Sequence, residues 1–105
     1  MELDISRMQE NAQSASELLK AMSNETRLMI LCQLLHGEMT AGQLDSMTSL
    51  SQSALSQHLA VLREHGLVLT RRESQNIYYS INGNRPKAII EVLYAIFNPD
   101  EKKCC

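Results

Sequence analysis

The hydrophobic period of this chain changes at Gly66, and that change limits the folds open to it. Before Gly66 apolar residues recur every three or four positions, the spacing of helix faces. After it, Leu67-Val68-Leu69-Thr70 and Ile77-Tyr78-Tyr79-Ser80-Ile81 are β-rich runs flanking a polar stretch, Arg71-Arg72-Glu73-Ser74-Gln75-Asn76. Such a pair of runs predicts one hairpin. A last helical pattern follows, with Ile89, Val92, Leu93, Ile96 and Phe97 on its apolar side and Asn98-Pro99 ending it. Pro86 falls in its first turn, where a missing N–H costs nothing.

The helical part divides at its caps. Ile5, Met8, Ala12, Ala15, Leu19 and Met22 predict an amphipathic helix over about residues 4–22. Ser23-Asn24 offers cap chemistry for a second, in which Leu28, Leu31, Cys32 and Leu35 form a stripe thickened by Met29, Ile30 and Leu34. Apolar on most sides, it is the expected central helix, ended at His36-Gly37. Thr40 can cap a short third helix reaching about Met47, with Leu44 and Met47 turned inward. Ser51 caps a fourth, with Leu50 and Leu55 as a hydrophobic staple, and that helix stops at Gly66.

Helix, helix, short helix, tight turn, helix, hairpin, helix is a mainly α arrangement with a β-hairpin wing, a winged helix-turn-helix. The fourth helix then stands where a recognition helix would. Its inner stripe is Leu55, His58, Leu59 and Leu62; its other face carries Gln52, Ser53, Ser56, Gln57, Ala60 and Arg63. Small and amide side chains let a helix approach a major groove closely while reaching base edges and phosphates. Double-stranded operator DNA is the expected partner.

Charge supports this locally. The chain carries −2 overall, yet residues 51–87 sum to +3 while residues 1–50 sum to −4. Phosphate attraction acts over about a Debye length, so a positive end on an acidic body suffices. At 105 residues and 44% hydrophobic the chain holds one small core, which dimerisation would supplement. One domain over residues 1–98 is expected, with 99–105 as a flexible tail. No apolar run approaches a membrane span and the N-terminus has no signal-peptide character, so a cytoplasmic location is expected. Three cysteines, Cys32, Cys104 and Cys105, are no framework for an oxidising compartment. No nucleophile elbow, phosphate loop or metal triad occurs, so neither catalysis nor a cofactor is expected.

Ser51-Gln52-Ser53-Ala54-Leu55-Ser56-Gln57-His58-Leu59 followed by Leu62-Arg63-Glu64-His65-Gly66-Leu67-Val68 resembles the recognition helix and strand entry of the ArsR/SmtB family of bacterial repressors. Leu18 to Ser23 with Arg27-Leu28-Met29-Ile30-Leu31 resembles its N-terminal signature, and Arg71-Arg72 to Tyr78-Tyr79 its wing. The resemblance covers about residues 10–97. It implies a homodimer through the first and last helices, both amphipathic here. It also implies DNA contacts through Ser53, Ser56, Gln57 and His58, with Gln52 near the helix start and Arg71, Arg72 and Gln75 on the wing. His58 lies on the inner stripe, where a core or backbone-bonding role stands beside a phosphate contact.

Members of that family release DNA when a metal, metalloid or thiol oxidant binds. The stretch Thr40 to Asp45 lacks the cysteine pair of one familiar metal site, and Pro86 to Phe97 has no histidine and only Glu91 for another. Cys32, following Ile30-Leu31, resembles the thiol of the sulfide-responsive BigR/SqrR/HlyU-like subgroup. That resemblance implies a persulfide or other thiol-reactive effector, and pairing with a cysteine near the end of the last helix. The subgroup's partner cysteine falls about where Asn98 stands, and this chain instead has Cys104 and Cys105, whose six-residue tether reaches ~20 Å when extended. Three thiolates also suit As(III), a second reading of Cys32, Cys104 and Cys105. A third reading, a dimeric module that binds protein and not DNA, is disfavoured by Gln57, Arg71 and Arg72.

Overall fold

The computed structural model describes residues 2–100. Five helices and a three-stranded sheet follow in the order α1 (Ile5–Met22), α2 (Glu25–Leu34), β1 (Met39–Thr40), α3 (Ala41–Asp45), α4 (Gln52–Glu64), β2 (Val68–Glu73), β3 (Asn76–Ile81) and α5 (Arg85–Phe97). This is the winged helix-turn-helix that the sequence pattern predicts.

The first four helices each start where a polar side chain satisfies an orphan N–H, whereas α5 has no side-chain cap and carries Pro86 in its first turn instead. Asp4 accepts from Ser6 N at 3.0 Å, Asn24 from Arg27 N at 3.0 Å and Ser51 from Ala54 N at 3.2 Å. Thr40 and Gln43 form a reciprocal capping box on α3, a short helix that lacks the length to hold itself. Gly66, at φ 74°, turns the chain out of α4 in a conformation that would strain other residues. The N–H of Leu67 closes this turn on the Leu62 carbonyl at 2.9 Å.

The core is one cluster. Ile30, Leu31 and Leu34 of α2, Leu55, Leu59 and Leu62 of α4, Leu44 of α3, Leu67, Val68 of β2 and Ile90 of α5 are all buried, joined by Ala21 and Met22 at the end of α1. Leu31 and Leu62 have no exposed surface. α2 therefore is the central helix, touching α1, α4, α5 and β3. Met47 departs from the inward placement that its spacing suggests. It lies beyond the end of α3 and is 51% exposed, since the helix stops at Asp45 before another turn could bring it round.

The sheet order is β1-β3-β2, all antiparallel. β1 is absent from the sequence pattern because two residues carry no period. The hairpin is also longer than its apolar runs. Pairing continues through Arg71↔Tyr78, Arg72↔Ile77 and Glu73↔Asn76, leaving a two-residue turn at Ser74-Gln75. Arg71, Arg72 and Glu73 are polar and yet extended, because the outer half of the wing stands in solvent and need bury nothing. Ser74 takes φ 55° to make the turn.

The radius of gyration is 15.2 Å, against about 13 Å for a compact chain of this length. α1 exposes Ile5, Met8 and Leu19, and α5 exposes Val92, Ile96 and Phe97, the last at 77%. No helix among the described residues is long and apolar enough to cross a membrane.

Leu62→Ala should destabilise the chain by about 2–5 kcal/mol, since the site is sealed and cannot collapse easily. Urea denaturation at fixed protein concentration measures this; a loss below about 1 kcal/mol would contradict the placement of Leu62 at the centre of the core.

Candidate nucleic-acid interface

α4 presents the candidate surface. At about 100° per residue, Gln52, Ser53, Ser56, Gln57, Ala60 and Arg63 fall within an arc of about 140°, and all six are exposed. The opposite side of the helix carries Leu55, Leu59 and Leu62 into the core. The first two turns of the exposed arc meet solvent with hydroxyls, amides and one methyl, and its acidic side chain, Glu64, falls only at the last residue of the helix beside Arg63. The Ser51 and Ser53 hydroxyls sit 3.3 Å apart beside the helix N-terminus, where backbone N–H groups and the helix dipole favour an anion.

His58 lies off this arc and is half-buried. Its Nδ1 is 3.3 Å from Nη1 of Arg27. A guanidinium only donates, so Nδ1 accepts and the imidazole proton sits on Nε2. The same Arg27 donates through Nε to the Ala21 carbonyl at 2.6 Å and through Nη2 to the Lys20 carbonyl at 3.3 Å. One side chain thus ties the C-terminal carbonyls of α1 to the middle of α4. A positive charge in the first turn of a helix opposes the dipole, and that misplacement in the sequence is the signal that Arg27 has another task.

The two wing arginines part company. Side chains alternate along a strand, so Arg72 shares its sheet face with Val68 and Thr70, while Arg71 shares the opposite face with Leu69 and Glu73. Tyr79, opposite Thr70, is on the Arg72 face and lines a crevice of about 380 Å³ with Ser56, Ala60 and Arg63 of α4. Arg72 therefore stands on the α4 side of the sheet. Neither Arg63 nor Arg72 is in an ion pair among the described residues. Gln75 is exposed at the wing turn.

Arg71 is already occupied. Its Nε donates to Oε2 of Glu38 at 3.0 Å and its Nη2 to Oε1 of the same carboxylate. Its Nη1 donates to Glu73 at 2.6 Å, and its guanidinium stacks over the Tyr78 ring at 4.3 Å. Two carboxylates on one guanidinium leave this patch negative. Hydrogen bonding from Arg71 holds the Glu38 carboxyl below its ordinary value of 4.5. What the pair adds to stability is thus fully present above about pH 4.5 and is lost as pH falls through the lowered folded-state value. Glu38 is 33 residues from Arg71, and nothing in the sequence announces it. Tyr79 was equally hidden, since in sequence it reads only as a strand residue.

Cys32 is half-buried on α2, packed against the core. Cys104 and Cys105 lie outside the described residues. Among the described residues no group of three or more His, Cys, Asp or Glu side chains is placed to hold a metal.

Comparison with known proteins agrees with this geometry. Residues 24–70, from the cap of α2 to the start of the wing, match the family model described as bacterial regulatory protein, arsR family. The transcriptional activator HlyU of Vibrio cholerae is 50% identical over 95 residues, covering 90% of this chain and 88% of that protein. The solved structure of its reduced form superposes with a TM-score of 0.80 over 88% of this chain and 97% of that one. The repressor BigR of Xylella fastidiosa, at 37% identity, gives a TM-score of 0.84 over 90% and 97% of the two chains. A homodimeric winged helix-turn-helix DNA-binding domain from Mycobacterium bovis, 25% identical, gives 0.77 over 97% and 94%.

Arg27→Met should cost about 1–3 kcal/mol, because two helix-end carbonyls and His58 lose a charged donor together. Chemical denaturation measures the loss. Unchanged stability would show that water replaces the guanidinium without penalty.

Proposed function

The chain belongs to the arsR family of bacterial regulatory proteins, a family of transcriptional regulators and not of enzymes, and from that premise we propose that it is a homodimeric cytoplasmic repressor released from its operator by oxidation of Cys32 with a C-terminal cysteine. The observation that carries the DNA half is the exposed arc of α4, Gln52, Ser53, Ser56, Gln57, Ala60 and Arg63, with Arg72 on the sheet face beside it. Gln57 and Ser56 read base edges, Ser53 and Gln52 meet phosphate at the helix start, and Arg63, Arg72 and Gln75 hold the flanking backbone. His58 serves from behind, through Arg27, by fixing how far α4 projects.

Dimerisation supports this geometry. The apolar residues exposed on α1 and α5 form surface that a lone chain would leave in water, and the Mycobacterium bovis neighbour is described as homodimeric. Two copies present two recognition helices to two half-sites, as helix-turn-helix dimers do.

The effector half rests on chemistry. Cys32 sits in an apolar wall at the end of α2, open to small neutral sulfur species. A persulfide RSSH transfers its outer sulfur to Cys32, leaving RSH and a Cys32 persulfide. The thiolate of Cys104 or Cys105 then attacks Sγ of Cys32, forming the protein disulfide and expelling hydrosulfide. Two protein thiols are oxidised and one sulfane sulfur is reduced. Among the relatives, HlyU has been solved in a form described as reduced, which accords with a thiol that changes state.

Fluorescence anisotropy on the DNA upstream of its own coding sequence tests both halves. Reduced protein should bind, and treatment with glutathione persulfide should abolish binding in the wild type and not in Cys32→Ser. Arg72→Ala should weaken binding across sequences and lower the salt slope by about 1. Binding that ignores the persulfide would remove the sulfur reading, and arsenite would then be the effector to try. Normal binding by both Gln57→Ala and Arg72→Ala would remove the proposed DNA face.

A further inference from the structure

Arg71 does not behave as a wing contact to DNA. It sits on the sheet face away from α4, both arms of its fork grip Glu38, and its third bond goes to Glu73. A phosphate approaching it would have to displace a carboxylate held bidentate, inside a patch whose net charge is already negative. The position of Glu38 says what the pair does instead. It lies between the end of α2 and β1, just after Gly37 turns the chain at φ 142°, and β1 pairs with β3 through Met39↔Tyr79 and Thr40↔Tyr78. The pair therefore spans the whole sheet, from the segment leading into edge strand β1 across β3 to edge strand β2. Tyr78 lies beneath the guanidinium as the middle plank.

We propose that Glu38 and Arg71 form a strut that fixes the angle of the wing against the helix-turn-helix, and that the two are positioning residues for operator recognition. The backbone alone leaves that angle loose. β1 contributes only two residues of ladder, and the outer half of the hairpin packs against nothing in the core. Bidentate pairing to a planar guanidinium fixes both distance and direction, which a single backbone bond does not. Both partners are substantially exposed, so the pair adds little to global stability. Its effect falls on where Arg72 and Gln75 stand relative to α4.

This rests on the reading of α4 and the wing as the DNA face, and the test separates the two. The full chain, reduced, is titrated by anisotropy onto its upstream DNA and onto a scrambled duplex of equal length. The readout is the ratio of the two affinities, from which a uniform charge effect cancels. The strut predicts that Glu38→Gln, Arg71→Gln and the double variant each lower the ratio by about fivefold, with the double no worse than either single. Arg71→Lys, which keeps the charge but lacks the fork, should lower it equally, and the thermal midpoint should hold in all four. A phosphate contact at Arg71 predicts otherwise: Arg71→Lys retains binding, Arg71→Gln lowers the salt slope by about 1, and Glu38→Gln raises affinity for both duplexes at an unchanged ratio. Either that pattern, or no change at all, overturns the strut while leaving the DNA face intact. A wild-type chain that binds neither duplex overturns the DNA face and the strut with it.

Discussion

The packing of α2 against α4 sets everything else. Leu31 and Leu34 on one helix and Leu55, Leu59 and Leu62 on the other belong to a single buried cluster that also takes in Leu67 and Val68 at the root of the wing. Once three leucines of α4 are turned inward, its remaining face has only one direction to point. The same burial anchors the wing, because Val68 ties the first strand to the core directly after the Gly66 turn. The recognition surface is thus the outside of a core whose inside is specified first.

On that frame, polar contacts adjust position more than they add stability. Arg27 joins the end of α1 to His58 on α4, and so links a helix with an exposed apolar face to the helix that would read DNA. Arg71 joins the end of the α2–β1 connection to the wing. A chain with a net charge of −2 can still present a basic edge, because its acidic side chains are concentrated in the first half and two of them, Glu38 and Glu73, are spent on Arg71. Arg63 and Arg72 are in no ion pair among the described residues, and Glu64, at the far end of the helix, is the acidic side chain that shares the α4 arc with them.

Much of this was legible in the sequence. The single change of hydrophobic period located the hairpin, the polar caps Asn24, Thr40 and Ser51 divided the helices, and the small polar residues on one side of 52–63 marked the surface. The rest depends on pairs far apart in sequence or on register. β1 is too short to carry a pattern. The reach of the hairpin could not be read from apolar content, because Arg71 to Glu73 pair as strand without burying anything. That register then decides that two adjacent arginines face opposite ways, and only three-dimensional proximity supplies Glu38 as a partner. Met47 misled for a simpler reason: helical spacing continues in the sequence after the helix has ended.

The most direct test of the central claim is amide chemical-shift mapping of the reduced, ¹⁵N-labelled protein titrated with a duplex from upstream of its coding sequence. The account predicts that the largest changes fall on residues 51–63 and 72–76, with α1 and α5 little affected. Changes concentrated on α1 and α5, with the α4 arc silent, would contradict it.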